Sequence, residues 1–330
     1  MPGLDRSLVQ QALRLASLAP SAHNTQPWRV LVSGERVVVC VDPERALPHS
    51  DPASRDLNLA MGAFGEAFSI ALQSLGARAQ PVDVAEGAWA VFRLDAGPIA
   101  ERDGASLLRR RQTSRLAYSP RPLDAKTLTT LSAAAHAQGI ELHLAPRGSI
   151  EHRGLREELF SAARESWLDV RAVKELSGWV RADFEGLRTA TDGLSTHCLG
   201  LRAGESLGLL AVLRPRLWNG LARVYAAPSL AESLARHDVR SFEQAAALGL
   251  LIAPAPGAQS GGAVLRFWLE ATRLGLAAHP LSVLLDRRGW EVGRQLGVDP
   301  RRVLMALRLG KSAPPPRAGR RAVERFASFE

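Results

Sequence analysis

Nine consecutive residues, Pro20-Ser21-Ala22-His23-Asn24-Thr25-Gln26-Pro27-Trp28, form the densest polar cluster in the chain. Two prolines make this a rigid turn, and Ser21, Asn24 and Gln26 offer a hydroxyl and two amides able to match the donors and acceptors of a polar heterocycle. The same residue types also build plain helix-to-strand connections, so both readings stand on the residues alone. A second run, Arg111-Gln112-Thr113-Ser114-Arg115, alternates cation and hydroxyl. In an extended stretch Arg111, Thr113 and Arg115 face one side. Arginine brings a planar fork and threonine a hydroxyl, which suits a phosphate and its sugar as well as it suits a solvated basic linker. The chain has neither a GxGxxG nor a GxxxxGK[ST] run to supply a phosphate site of the dinucleotide or P-loop kind.

Periodicity predicts the elements that must position these two runs. Residues 5–19 place Leu8, Ala12 and Leu15 on one helical face, and Pro20 closes the run. Two β-branched runs joined by Gly34-Glu35 read as a hairpin over 29–42. A helix over 57–75 stopping at Gly76 and a strand over 89–95 complete the first half. The basic, proline-bearing stretch 107–124 separates the halves. Beyond it the spacing predicts a helix over 124–137, a strand IELHLA, and polar helical segments carrying Trp167 and Trp179 to about residue 190. A buried strand over 247–253, helices over 261–275 and 286–296, and the strand VLMALRLG follow, after which the PPPRAGRR tail is expected to leave the core.

The whole has 330 residues, enough for about two domains, and its 46% hydrophobic and 23% charged content excludes wholesale disorder. No apolar run approaches the ~18 residues of a membrane span, and the opening MPGLDRSLVQQ lacks the hydrophobic region of a signal peptide, so a soluble cytoplasmic protein is expected. Cys40 and Cys198 are too few and too distant in sequence for a zinc cluster or disulfide framework; no metal site is expected. The net charge of +9 comes almost wholly from arginine, since Lys126, Lys174 and Lys311 are the only lysines. A GC-rich coding bias gives that skew as readily as a polyanion-binding surface does. A nucleic-acid partner would rest on this charge alone, without any recognised motif of interleaved aromatics, and is not expected.

An internal comparison says more. Shifted by 199 residues, GAFGEAFSIALQSLGARAQP lies on GGAVLRFWLEATRLGLAAHP, pairing Gly62 with Gly261, Phe68 with Phe267, Leu75-Gly76 with Leu274-Gly275 and Pro81 with Pro280. The first helices of the two halves pair at a shift of only 119, through Leu4-Asp5 and Leu123-Asp124. The difference between the shifts is an insertion, around 146–240.

Together the two polar runs resemble the nitroreductase family, whose hallmarks are A-P-S-x-x-N-x-Q-P-W between a helix and a strand and R-x-[ST]-x-[RK] ahead of a P-[VL] helix start. Here the first half carries the loop and the second the arginine motif, which resembles the single-chain, twin-domain (Acg-like) members; RRRQTSR, DPASRDLNLAMGA, ELSGW and PRAGRR strengthen the likeness. The resemblance implies an α+β fold of two similar halves forming an intramolecular pseudo-dimer. The first half would span 1–106, and the second would span 107–330 with the 146–240 insertion as a lid.

It also implies an FMN-dependent oxidoreductase passing hydride from NAD(P)H through the flavin to a nitroaromatic, quinone or similar small acceptor, as a monomer or weak dimer with no membrane partner. A flavin-sequestering protein without turnover is the alternative. Carried over residue by residue, Pro20, Ser21 and Asn24 would line the flavin ring, Arg111 and Thr113 would hold phosphate and ribityl, and Arg115 would sit by the pyrimidine edge. Pro280, Leu281 and Ser282 would lie by the reactive edge, and Arg320 or Arg321 would be the second phosphate ligand. Ala22 stands where many members have a second serine, which removes one hydrogen bond. His23 and His279 fall within motif segments at positions where the family uses no side-chain acid, and are read as packing or hydrogen-bonding residues. One tryptophan of the insertion could cap the flavin.

Overall fold

The computed structural model describes residues 5–84, 86–183, 190–214 and 226–330. Helix α1 (Arg6–Ala16) starts where the Asp5 side chain accepts from the Ser7 N–H, and its periodic face buries Val9, Ala12, Leu13, Leu15 and Ala16. Strands β1 (Trp28–Ser33) and β2 (Arg36–Val41) form the expected antiparallel hairpin, with Gly34 taking the left-handed turn conformation at φ +56°. Helix α2 (Arg55–Ser74) is apolar on nearly every side and lies buried. Strands β3 (Ala77–Val82) and β4 (Ala90–Ala96) and a short helix α3 (Gly104–Arg110) follow.

The second half repeats this order: α4 (Ala125–Ala137), β5 (Glu141–Pro146), then after the insertion β8 (Ala247–Ile252), α9 (Ser260–Arg273), β9 (Ala277–Pro280), and, beyond α10 (Ser282–Leu296), β10 (Val303–Gly310). The insertion holds α5 (Ile150–Leu168), α6 (Val170–Trp179), the paired two-residue strands β6 (Val180–Arg181) and β7 (Leu194–Ser195), α7 (Ala203–Val212) and α8 (Ala226–Glu243). The sheet orders match: β1-β2-β4-β3 in the first half and β5-β8-β10-β9 in the second, all antiparallel. This is an α+β fold of two similar halves.

The halves meet where α2 crosses α9. A Cβ on Gly62 would lie 2.7 Å from the Ala258 carbonyl oxygen and 2.9 Å from the Gly261 Cα, so the backbones touch with no side chain between them. The glycines paired by the 199-residue shift are thus the two that face each other at the crossing. The cores interlock around it: Leu265 and Leu269 of α9 enter the first half's core, and Leu59 of α2 enters the second's.

Three features differ from the periodicity reading. Strand β3 was not anticipated, because ARAQPV has no apolar face; it is an edge strand, where Pro81 costs no ladder bond on its open side. The tail does not leave the core: β11 (Ala327–Phe329) pairs in parallel with β1, with Val323 and Phe326 buried in the first core. Helices α5 and α8 cover the second sheet through Leu155, Leu159, Val239 and Phe242. Cys198 is buried, Cys40 is half-buried, and neither is in a disulfide. Among the described residues no helix is long and apolar enough to cross a membrane.

Gly261→Ala should therefore lower the unfolding free energy by about 1–3 kcal/mol through overpacking. Gly208→Ala, in the middle of α7 with nothing near its added methyl, should raise it by about 0.5–1 kcal/mol. Urea titration of both variants checks the contrast, and equal effects would mean that the helices do not cross this closely.

Candidate functional site

The loop after α1 is strained and held from outside. His23, Asn24 and Gln26 all take left-handed φ values of 49°, 55° and 52°, which non-glycine residues seldom adopt. The Ser21 hydroxyl accepts from the Gln26 N–H at 3.0 Å. Asn24 Nδ2 donates to the carbonyls of Gly193 (3.2 Å) and Gly319 (3.1 Å). Gln26 is fully buried; its Nε2 donates to the Thr191 carbonyl at 2.9 Å and its Oε1 accepts from the Arg321 N–H at 2.9 Å. The amides of Asn24 and Gln26 therefore tie the loop to the insertion and the C-terminal segment, and Gln26 has nothing left for a heterocycle.

The arginine run leaves α3 and lies along the open edge of β9. Thr113 bridges Ala278 in parallel, and the Ser114 N–H donates to the Ala278 carbonyl at 3.2 Å. Arg111 is only 2% exposed; one Nη2 donates to the Leu18 carbonyl (2.9 Å), and its guanidinium stacks 4.6 Å from the Trp268 ring centroid. Its Nε and Nη1 are buried with no partner. Arg320 approaches the same place, its Nε donating to the Ser17 carbonyl at 2.7 Å and its Nη1 to that of Gly319 at 3.0 Å. Burial, then the neighbouring Arg320, pushes Arg111 down to about 9, and burial, opposed by Cys198, brings Arg320 down to about 10. Arg115, half-buried, is also brought to about 10 by burial, with Cys198 opposing the shift and Arg308 adding to it. None of these three arginines has a carboxylate partner among the described residues.

Arg321 lies elsewhere. Its side chain donates to the carbonyls of Gln26 and Arg325, and its charged neighbours are Arg45, Asp42, Asp192 and Arg29. Pro280 ends β9, Leu281 donates its N–H to the Ala306 carbonyl at 2.8 Å, and Ser282 opens α10, its carbonyl accepting from Arg55 at 3.2 Å. His23 and His279 both neighbour Arg115; burial brings His23 down to about 4 and His279 well below the ordinary imidazole range, so both rings are neutral at pH 7. The structure thus brings Arg111 and Arg320 to the C-terminal end of α1, just before Pro20, Ser21 and Asn24 in the chain, and sets Thr113 against Ala278 of β9. Arg115 lies within electrostatic reach of the β9 end.

Two groups escaped the sequence reading. Arg308, inside the apolar strand β10, is fully buried and bonds both His279 and the arginine run; a cation within VLMALRLG was the available signal. The second group lies in DPASRD, where Arg55 contacts Asp56 (3.0 Å) and Asp286 (2.8 Å) while buried Asp51 sits alongside. Of the insertion's tryptophans, Trp167 Nε1 donates to Asp238 at 3.2 Å, whereas Trp179 lies beside the loop, flanked at 5.6 Å by Arg181 and by Arg45, whose Nη1 donates to the Thr25 carbonyl at 2.6 Å. Trp218 lies outside the described residues.

Two similar α+β halves thus meet at a cluster of arginines that has no carboxylate partner among the described residues. No family model matches the chain. It is 33% identical over 144 residues to "Putative NAD(P)H nitroreductase Rv3131" of Mycobacterium tuberculosis (strain ATCC 25618 / H37Rv), a match covering 42% of each chain and so less than half of that relative's length. It is 27% identical over 309 residues to "Probable NAD(P)H nitroreductase PigM" of Serratia sp. (strain ATCC 39006), covering 84% of this chain and 80% of that one. Among solved structures it is similar to the FMN-dependent nitroreductase NfnB from Mycobacterium smegmatis in complex with NADPH, at 20% identity and a TM-score of 0.40, over 69% of this chain and 98% of that one. The resemblance to the nitroreductase family carried by the two motifs is borne out by the sequence relatives.

The Arg55 group makes stability pH-dependent. Three carboxylates around one guanidinium favour a retained proton, and burial, against Arg55 but with Asp56 and Asp51, raises Asp286 to about 8. The folded state then holds a proton that the unfolded chain releases, so the contribution is full below the ordinary carboxylate range and is lost as pH rises through about 8. The thermal midpoint should fall between pH 5 and 9, and Asp286→Asn, which cannot ionise, should flatten that fall. An unchanged slope in the variant would show that the proton is not held there.

Proposed function

We propose that this chain is an FMN-dependent NAD(P)H oxidoreductase that holds one flavin at the junction of its halves. The observation that carries the reading is the group Arg111, Arg115 and Arg320, the first buried and the other two half-buried, with no carboxylate partner among the described residues. An unbalanced buried cation is costly, and a bound anion removes that cost. The free Nε and Nη1 of Arg111 form a fork fitted to phosphate oxygens, with Arg320 beside it and the Thr113 hydroxyl next along the strand edge. Arg320, rather than Arg321, is the second phosphate ligand, since Arg320 is the charged neighbour of Arg111 while Arg321 turns to the carbonyls of Gln26 and Arg325. Pro20, Ser21 and Asn24 line the ring from the first half, and Arg115, Pro280, Leu281 and Ser282 line it from the second.

When bound, FMN would accept hydride from NAD(P)H and pass the electrons to a small nitroaromatic or quinone-like acceptor. The names of the relatives support that chemistry. The protein's own part is to hold the charges ready: Trp268 and the Leu18 carbonyl fix the Arg111 plane, and Arg115 supplies preorganised positive charge for the electron-rich edge of the ring.

Within the 146–240 insertion, α6 and residues 190–195 form the covering part. Glu175 accepts from the N–H groups of His49 (3.1 Å) and Ser50 (2.8 Å), and Asp192 clasps Arg45 (3.0 Å) and Arg181 (3.1 Å) across the loop. Such covers exclude water and gate access.

Heat-released flavin from loaded protein should amount to one FMN per chain, and NAD(P)H should be consumed with menadione. Arg111→Ala should weaken FMN by the loss of charged hydrogen bonds, about 1.5–3 kcal/mol each, while riboflavin binding changes little; equal losses for both ligands would place Arg111 away from the phosphate. Asp192→Ala, which opens the clasp, should raise rates with bulky acceptors relative to menadione, and an unaltered ratio would remove the lid.

A further inference from the structure

We infer that Arg308 is a positioning residue that holds His279 as the neutral tautomer with its proton on Nε2, presenting that N–H to a carbonyl oxygen bound at the junction. The inference rests on the proposed function for the identity of the bound molecule, but its structural half does not. Arg308 Nε lies 3.0 Å from His279 Nδ1, and the two residues face each other in the β9–β10 register. A guanidinium only donates, so Nδ1 must accept. In a neutral imidazole the single proton is then on Nε2. Protonating Nδ1 would set two donors against each other, and burial together with Arg115 and Arg308 keeps the ring well below its ordinary range.

Nothing in the described protein takes the Nε2 proton. The ring is half-buried rather than sealed, and it stands one residue beyond the Ala278–Thr113 bridge and one before Pro280, between the two segments assigned to the ring and the sugar. The remaining Arg308 donors serve the same place. Nη2 donates to the carbonyls of Ser114 and Leu116, both at 3.1 Å, bracketing Arg115 on either side, and Nη1 donates to the Ser241 carbonyl of α8 at 2.7 Å. The Tyr118 ring covers the cation at 4.3 Å while its hydroxyl donates to the Ser114 carbonyl at 3.0 Å. One buried cation, again without a carboxylate among the described residues, thus sets both the path of Arg115 and the tautomer of His279.

The test has two parts. Nitrogen-15 NMR of the flavin-free protein should show the His279 imidazole with a bare Nδ1 and a protonated Nε2, and Arg308→Met should mix the tautomers and move its titration toward the ordinary range; a protonated Nδ1 in the unmodified protein overturns the inference whether or not flavin binds. In the loaded protein His279→Phe should either release the shifted carbonyl stretch of carbon-13-labelled FMN in the infrared, assigning the N–H to the flavin, or leave it and raise the KM for menadione about tenfold, assigning it to the acceptor. His279→Gln, which keeps an N–H donor, should restore whichever signal was lost. If His279→Phe alters neither, the donor has no ligand and the proposal fails. If Arg308→Met does not fold, the His279 variants still decide it.

Discussion

The crossing of α2 and α9 is the constraint on which the rest depends. Gly62 and Gly261 allow the two backbones to touch, so each helix belongs to both cores and neither half is closed without the other. The chain ends of the halves then exchange edges. The first half runs out of α3 into the arginine run, which lies on the edge of β9, and the second returns through its last residues to add β11 to β1. Both exchanges deliver arginines to the C-terminal end of α1, Arg111 by the first and Arg320 by the second, where the carbonyls of Ser17 and Leu18 receive them. The equivalent place after α4 has no such loop, because only Gln138, Gly139 and Ile140 separate that helix from β5. The repeat in the fold therefore leaves a single elaborated junction.

Position, not number, gives the arginines their meaning. Several sit in partly exposed pairs such as Arg266 with Glu66 and Glu101, or Arg301 with Asp299, and pairs of that kind add little to stability. Arg111, Arg115, Arg308 and Arg320 have no such partner among the described residues. Withdrawing an ion from water costs several kcal/mol even after relaxation. Arg308 offsets much of this with four directed bonds to neutral acceptors, whereas Arg111 keeps two donors unused. The distinction separates a cation whose donors the fold satisfies from one whose donors it leaves open.

Much of this was legible in the sequence, for identifiable reasons. The amphipathic period of α1, the hairpin at Gly34 and the repeat through Gly62 and Gly261 are local patterns, and local patterns survive folding. The two polar runs were legible as chemistry because their residue types are dense and unusual in combination. What escaped depended on partners distant in sequence. Nothing local to ARAQPV marks an edge strand, and nothing in PPPRAGRR tells whether Arg320 or Arg321 turns toward Arg111. The amide of Gln26 looked available until Thr191 and Arg321 were seen to occupy it. Arg308 shows the limit from the other side: a charge in a buried strand announces a role, but only the β9–β10 register names His279 as its partner.

The strained loop ties the insertion to the site more closely than a removable cover would be. Left-handed non-glycine residues cost about 1–3 kcal/mol each and persist only where the surroundings over-determine them. For His23, Asn24 and Gln26 the surroundings are largely two foreign segments, residues 191–193 of the insertion and 319–321 near the C-terminus. Those segments also press on each other, since Gly319 leaves no room for a Cβ beside the Ala190 carbonyl. Movement of residues 190–195 away from the first half would therefore do more than open a path. It would withdraw the acceptors of Asn24 and Gln26 and let the loop relax, while the same segment's hold on the 319–321 stretch would loosen the backbone that carries Arg320. The position of residues 190–195 and the shape of the loop after α1 are in this way tied to one set of hydrogen bonds, so neither can change without the other.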